Sequence, residues 1–209
     1  MAIIFLEGID LLHISLTSLQ LNQFENLLRL LMKWNALYNL TAIKTEQEIE
    51  VKHFLDSLSV YPYLTGESIL DIGTGAGFPG LPLAILFPEK KFVLLDSNSK
   101  KTRFIRQVIA ELKIKNVIVE NERVETYHPN SFPDQIVSRA LSSVASIISN
   151  TGHLLSCNTR YLFMKGHWPE VGFESIGEGF YFELIKQLEV PFLDELRHLL
   201  IVSRESNMS

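Results

Sequence analysis

The strongest indication of the fold of this 209-residue chain is DIGTGAGFPG, residues 71–80. Its first three residues end SILDIG, residues 68–73, an apolar run of strand length, and its last residue begins residues 80–87, which we predict to be a helix. Glycines at positions 73, 75 and 77 let the backbone turn sharply and leave room for a ligand. A strand, a glycine-rich turn and a helix in this order form the nucleotide site of doubly wound α/β sheets.

The spacing of these glycines distinguishes two kinds of nucleotide site. The dinucleotide pattern G-x-G-x-x-G would need glycine where Phe78 stands, and the phosphate-binding pattern G-x-x-x-x-G-K-[ST] does not occur. With Asp71 ahead of Gly73 and Gly75, the motif resembles instead the first motif of S-adenosylmethionine (SAM) enzymes, where a carboxylate suits a cationic cofactor. The alternative is a tight turn that holds no ligand.

Asp96 ends the next strand-like run, 23 residues after Gly73. An acidic residue about 20 residues past such a loop accepts hydrogen bonds from a ribose diol. Asp96 therefore predicts a nucleoside cofactor of either kind. The alternative is an exposed carboxylate at a strand end.

Further along the chain, strand-like runs alternate with helical stretches. The runs are SILDIG, KFVLLD, VIVEN, QIVSRA and YLFMKG, and the helix candidates are residues 80–87, 99–112 and 143–150. This alternation predicts a parallel sheet. FYFELIKQLEV and HLLIVSR are separated only by PFLDELR, too short for a helical crossover, and we expect them to pair antiparallel. The order resembles the class I methyltransferase fold, a Rossmann-like α/β fold with a mostly parallel seven-stranded sheet and an antiparallel C-terminal hairpin.

The first 60 residues have a different pattern. Apolar residues recur at helical spacing from Thr17 to about Ala36, and a second amphipathic stretch covers residues 46–60. Thr45 and Glu48 have the spacing of a capping box. The inner face of this second helix is predicted to carry Ile49, His53, Leu55 and Leu58. We therefore expect a helical N-terminal segment, residues 1–60, attached to a methyltransferase domain, residues 61–209.

Composition excludes several classes of protein. With 46% hydrophobic residues and a net charge of -5, the chain is expected to fold around a core. Cys157 is the single cysteine, so a disulfide framework is excluded. The longest apolar run, Leu81 to Phe87, is too short to span a bilayer, and the N-terminus has no basic lead. We expect a cytoplasmic protein without a membrane segment.

Charge is concentrated in one region. Residues 100–115 carry six basic side chains and one acidic side chain, although the chain as a whole is acidic. Lys100, Lys101, Arg103 and Arg106 begin a predicted helix, whose apolar stripe leaves them facing outward. This cluster is either a solvated helix face or a patch that binds phosphates.

Several reactions are disfavoured because the sequence lacks the residues that usually catalyse them. Methylation of pyrimidine carbon 5 needs a cysteine nucleophile, and Cys157 has no motif around it. After the fourth strand, FPDQIVSRA lacks the Asn/Asp-Pro-Pro-aromatic signature of exocyclic-amine methyltransferases. The six histidines do not have metal-ligand spacing, so we predict no metal, and no G-x-S-x-G nucleophile elbow occurs.

Taken together, seven segments resemble one family. They are KWNALYNLTAI, HFLDSL, DIGTGAGFPGLPLAI, LLDSNSKKTRFIRQV, the SRA of 138–140, the MKG of 164–166 and VPFLDELRHLL. In this order and spacing the chain resembles the bacterial ribosomal RNA small-subunit methyltransferase G family, also called glucose-inhibited division protein B. The resemblance implies SAM as the methyl donor and N7 of a guanine in small-subunit (16S) ribosomal RNA as the acceptor. Residues 167–180 do not follow a fixed family pattern.

The resemblance also assigns residues. It places SAM contacts on Gly73, Phe78, Val124, Glu125 and Arg139, beside Asp71, Gly75 and Asp96 of the motifs above. We take Arg139, Lys165 and Arg197 as candidate donors to guanine O6, since Arg and Lys bind that edge in DNA readers. The alternatives are a surface acid for Glu125 and a structural ion pair for Arg139. The expected partner is small-subunit ribosomal RNA, free or in a ribosomal particle, and we expect a monomer.

Guanine N7 carries an exposed lone pair and can attack a sulfonium methyl group in line without losing a proton. The sequence therefore predicts catalysis by orientation and exclusion of water rather than by a general base. His167 and His198 are the residues to test if a base exists. Two other classes stay open: a methyltransferase of a small molecule or protein, and a SAM- or nucleotide-binding module without catalysis. An NAD-dependent reductase is disfavoured by Phe78 and the antiparallel tail.

Overall fold

The structure is a computed structural model that describes residues 3–139, 143–166 and 176–205. Its centre is a seven-stranded sheet in the order β3-β2-β1-β4-β5-β7-β6. The strands are β1 Ser68–Ile72, β2 Lys91–Leu95, β3 Val117–Glu120, β4 Gln135–Arg139, β5 Arg160–Lys165, β6 Phe180–Leu188 and β7 Arg197–Arg204. The first five pair in parallel, whereas β7 is antiparallel to both β5 and β6. The predicted fold class is confirmed.

The strand order reverses between β1 and β4. In a doubly wound sheet, ligands bind outside the carboxyl ends of the strands at such a point. The central strands are buried on both faces, with Leu70, Ile136 and Leu162 at most 2% exposed, because helices cover the sheet on each side. The reversal therefore places a ligand site after β1, where the glycine-rich loop begins.

The helices are α1 Ile3–Leu11, α2 Ser18–Tyr38, α3 Glu46–Ile49, α4 Asp56–Leu58, α5 Gly80–Leu86, α6 Ser99–Leu112 and α7 Val144–Thr151. A π-helix, Glu50–Leu55, joins α3 to α4, so the helix predicted at residues 46–60 is continuous from Glu46 to Leu58 and locally wider. Two short 3₁₀ turns cover Tyr61–Tyr63 and Gly152–Leu154. The analysis of periodicity did not predict α1. All four residues predicted for the inner face of the second helical stretch are buried.

The N-terminal helices share one apolar cluster with the sheet. Phe5, Phe24 and Phe54 form a ring cluster with centroids 5.0–5.9 Å apart. The same cluster continues to Ile69 in β1 and Leu94 in β2. The helical segment therefore packs on the sheet in a shared core. The division of the chain into two domains at residue 60 stays a prediction.

Caps and long-range hydrogen bonds fix the direction of α2. Thr17 and Gln20 form a full capping box at its start. The Gln20 side chain donates to the carbonyls of Ile85 and Leu86 at the end of α5, at 2.9 and 3.1 Å. The Gln23 side chain donates to Leu112 O at the end of α6, at 3.1 Å. Because its start lies beside the ends of α5 and α6, the end of α2 lies beside the start of α6.

The predicted cap at Thr45 is present: its hydroxyl accepts from Glu48 N at 3.3 Å and donates to the Glu48 carboxylate at 2.7 Å. Within the described ranges, no helix combines the length and apolar character needed to cross a membrane. Ala140 of the SRA segment and residues 167–175 lie outside the described residues.

Candidate active site

The glycine-rich loop is attached to the end of β2. Gly73, Gly75 and Gly77 have φ values of 65°, 62° and 93°, which L side chains rarely adopt. Gly73 N donates to Leu95 O, and Gly75 N donates to Asp96 Oδ2, both at 2.8 Å. The two motifs of the sequence, the glycines and the strand-end carboxylate, are therefore joined in one unit.

Asp71 holds this loop from below. It is fully buried, and its Oδ2 accepts from the Thr74 hydroxyl at 2.5 Å and from Gly80 N at 2.8 Å. Burial raises the pKa of Asp71 to about 7, against the effect of the Thr74 and Gly80 hydrogen bonds. Gly80 is needed here, since a Cβ would lie 2.1 Å from Leu94 Cδ2. The contact of Asp71 with a cationic cofactor stays a prediction.

A first cleft, of about 260 Å³, opens beside the loop. Its walls include Gly73, Leu95, Asp96 and Val124. It offers a carboxylate for a ribose diol and apolar side chains for a purine, so its residues fit the adenosine part of SAM. Glu125 is exposed and does not line this cleft, whereas Glu122 does. We refer to this first cleft as the cofactor cleft.

Phe78 is buried under two partners. The His53 ring stacks on it with centroids 4.4 Å apart and an angle of 7°, and the Arg139 guanidinium lies 5.5 Å from its centroid. The Phe78 side chain is only 3% exposed, and it is a packing surface for His53 and Arg139. Its contact with SAM stays a prediction.

A second cleft, of about 410 Å³, lies at the ends of β4 and β5. It is lined by all three candidate catalytic residues, Arg139, Lys165 and Arg197. Arg139 and Met164 are register partners in β4 and β5, so the strand ends bring these side chains together. Burial lowers the pKa of Lys165. We refer to this space as the transfer cleft.

One carboxylate holds the two arginines of the transfer cleft. Asp56, 2% exposed, accepts from Arg139 Nη1 at Oδ2 and from Arg197 Nε at Oδ1, both at 3.1 Å. Arg139 Nη1 also donates to Lys52 O at 3.1 Å. The predicted ion-pair alternative for Arg139 is thus present in the structure, beside its position at the cleft.

Arg197 uses three of its nitrogens within the protein: Nε on Asp56, Nη1 on Leu196 O and Nη2 on Glu195. Glu195 also pairs with Lys52 Nζ at 3.0 Å. A guanidinium with this set of acceptors is suited to hold the wall of the cleft. A contact of Arg197 with guanine stays a prediction.

His53 connects this wall to the N-terminal segment. Its Nδ1 lies 3.1 Å from Arg139 Nη2 and its Nε2 lies 2.9 Å from Thr41 Oγ1. Because arginine can only donate, Nδ1 accepts and Nε2 carries the proton. Burial, and then the charge of Arg139, lowers the pKa of His53 to about 3. The ring is therefore neutral around pH 7.

Sequence analysis did not assign His53 or Asp56 to the site. It placed His53 on the inner face of a helix, where the side chain does lie. Its partner Arg139 is more than 80 positions away in sequence, so no local pattern indicates the contact. The available signal was the HFLDSL segment of the family resemblance, which contains both residues. Among the described residues, no group of three or more His, Cys, Asp or Glu side chains is placed to hold a metal ion. His198 is buried in β7, and His167 lies outside the described residues.

Solved structures share this fold. Magnesium protoporphyrin IX methyltransferase from Synechocystis, solved with bound SAM, gives a TM-score of 0.58 at 14% identity and covers 86% of this chain and 97% of that chain. A putative methyltransferase from Thermoplasma acidophilum gives 0.52 at 11% identity, over 68% of this chain and 70% of that chain. The strand order, the glycine loop and the cofactor cleft define a class I SAM-dependent methyltransferase.

The family follows from sequence similarity. Residues 20–200 match the profile of GidB, the rRNA small subunit methyltransferase G family. Ribosomal RNA small subunit methyltransferase G of Pseudomonas aeruginosa is 48% identical over 198 residues, which cover 94% of this chain and 92% of the relative. The protein of the same name from Idiomarina loihiensis is 42% identical over 198 residues, covering 95% and 96%. The chain belongs to this family, and the resemblance drawn from its sequence is confirmed.

Proposed function

We propose that this chain methylates N7 of one guanine in 16S ribosomal RNA, with SAM as the methyl donor. The observation that carries the proposal is the presence of two clefts at one sheet edge, one beside the glycine loop and one lined by Arg139 and Lys165. When bound, SAM supplies a methyl group on a positively charged sulfur. The family membership supports ribosomal RNA as the acceptor.

The transfer cleft suits a nucleophile that reacts without losing a proton. Both ring nitrogens of His53 are engaged, with Arg139 and Thr41, so this histidine is not placed to accept a proton from a substrate. Guanine N7 needs no such base, because its lone pair is already free. The residues of the chain then act by orienting the acceptor and excluding water.

Specific roles follow from the contacts. Gly73, Gly75, Asp96 and Val124 would hold SAM in the cofactor cleft, whose walls include Gly73, Asp96 and Val124. Lys165 and Arg139 are the side chains we assign to the guanine O6 edge, and Arg197 shares the Asp56 carboxylate with Arg139. The SAM contacts of Phe78, Glu125 and Arg139 rest on the family resemblance.

The alternatives from the sequence differ in their substrate. A methyltransferase of small molecules or proteins would use the same cofactor cleft, and a binding module would bind SAM without turnover. Purified protein with labelled SAM should label unmethylated 30S subunits or 16S RNA and leave metabolite and protein pools unlabelled. We also propose that the protein acts as a cytoplasmic monomer on ribosomal RNA, free or within a particle.

The decisive experiment is mass-spectrometric mapping of 7-methylguanosine in 16S RNA from a deletion strain. One modified guanine should lose its methyl group and regain it when the wild-type chain is expressed, but not with Lys165→Ala. If the deletion strain keeps all its 7-methylguanosine, the proposed function is wrong. Labelling of metabolites or proteins instead would favour the second candidate class.

A further inference from the structure

The end of α2 carries two large apolar side chains that the described structure covers only in part. Leu37 is 69% exposed and Tyr38 is 44% exposed. The Tyr38 ring lies 5.1 Å from the Trp34 ring, and the Trp34 ring lies 5.7 Å from Phe104 of α6. A row of aromatic rings therefore leads from the core beside α6 to the solvent.

A hollow of about 270 Å³ lies at the same end of α2. It is lined by Met32, Asn35, Ala36, Asn39 and Lys44. The Asn35 side chain accepts from Thr41 N and donates to Ile43 O, both at 2.9 Å. Ile43 lines the transfer cleft, so the hollow and the cleft share the segment between them.

Two segments beside this surface carry an excess of positive charge, with Glu46 and Asp96 as the nearest acidic residues along the chain. Residues 33–44 contain Lys33 and Lys44 and no acidic residue, and residues 97–106 contain four basic residues and no acidic one. Since the end of α2 lies beside the start of α6, these two segments are neighbours. A local excess of cations on a chain with a net charge of -5 favours an anionic partner.

We propose that Lys33, Leu37, Tyr38 and Lys44, the α2 platform, bind the substrate RNA next to the target guanine, with an unpaired base stacked on Tyr38. Proteins recognise single-stranded RNA by stacking its bases on aromatic rings between basic side chains. The platform offers this combination, and the chain that follows it reaches the wall of the transfer cleft at Ile43. The inference rests on the proposed function and deepens it by naming the RNA element that the enzyme needs: an unstacked nucleotide near the target.

The first test replaces the ring. With unmethylated 30S subunits as the probe, Tyr38→Ala should raise KM for the subunit about tenfold, the factor that one stacked base provides, with kcat and SAM affinity unchanged. Tyr38→Phe should keep the wild-type KM, because stacking needs only the ring. The matched control is Tyr181→Ala, which removes a tyrosine of similar exposure, 46%, from the edge strand β6.

The second test separates charge from stacking. The double variant Lys33→Gln/Lys44→Gln should flatten the salt dependence of subunit binding by about 0.7 to 0.9 units of slope for each lost phosphate contact. Lys113→Gln/Lys115→Gln is the control, because these lysines follow the far end of α6. Tyr38→Ala should leave the slope unchanged, since its contribution is not ionic.

Failure of this inference differs from failure of the proposed function. If wild-type protein does not methylate 30S subunits or 16S RNA, the proposed function is wrong. If wild-type protein is active and Tyr38→Ala keeps its KM, the α2 platform does not bind RNA. A change in sedimentation of Tyr38→Ala without a change in KM would show instead that this surface joins two copies of the chain.

Discussion

The cofactor cleft and the transfer cleft lie at the same edge of one sheet but are built in different ways. The cofactor cleft uses residues 72–73, 95–97 and 122–124, at the ends of β1, β2 and β3 and in the turns that follow them, together with Lys101 of α6. The transfer cleft joins residues from positions 43 to 197. One site is a product of short segments with a recognisable pattern, and the other depends on the complete tertiary fold.

Asp56→Ala should have the largest effect, and it should act on the transfer cleft. The substitution leaves Arg139 and Arg197 buried without their shared carboxylate, and breaking a buried ion pair in this way costs about 3–5 kcal/mol. Chemical denaturation should show this loss of stability. Asp56→Asn should retain part of the stability while methyl transfer falls by a larger factor than SAM affinity does. Equal loss of SAM binding in both variants would mean that the two clefts are not separate.

Gly75→Val should act on the cofactor cleft alone. Gly75 has a φ of 62°, which is strained for a β-branched residue, and its side chain would enter the approach of the cofactor. We expect SAM affinity to fall about 100-fold, or about 2.7 kcal/mol, in calorimetry. Gly179→Val is the control, because it has a similar φ of 77° with open space around it. Unchanged affinity in Gly75→Val would exclude this loop as the cofactor site.

The two clefts should also respond oppositely to pH. The folded-state pKa of His53 is lowered to about 3, so its contribution to stability is present above its ordinary value of 6.5 and decreases as pH falls below it. The folded-state pKa of Asp71 is raised to about 7, so its contribution is present below 3.8 and decreases as pH rises to 7.

Between pH 4 and 6.5 these two dependences oppose each other. Relative to wild type, His53→Asn should shift the slope of unfolding free energy toward falling with pH, by at most about 1.4 kcal/mol per unit. Asp71→Asn should shift it in the opposite direction. Urea denaturation at several pH values measures both slopes. Slopes that match wild type in both variants would contradict the burial of these groups as the cause.

The smallest effect is expected for the rate of methyl transfer itself. Because N7 loses no proton, the single-turnover rate should change by less than about threefold between pH 6 and 8. A rise with a single ionisation in this range would indicate a general base. His198→Gln and His167→Gln would then be the variants to measure.

The fold class and the family could be predicted from the sequence alone, and its motifs also predict the cofactor site. Its strands and helices follow from local periodicity, and α6 covers the predicted residues 99–112. The glycine loop and Asp96 belong to one βαβ unit. In such a unit the number of residues between two positions indicates how far apart they lie in the structure. Family motifs added Arg139 and Lys165, and both line the transfer cleft.

The contacts that hold the transfer cleft together could not be predicted from the sequence. Asp56 contacts Arg139 across 83 residues and Arg197 across 141, and no local pattern relates such positions. The structure also separates the basic residues of 100–115. Lys100 lies at the start of α6, and Lys115 lies beyond its end. Secondary structure depends on neighbours in sequence, whereas a buried ion pair depends on which side chains the packed core brings within 3–4 Å.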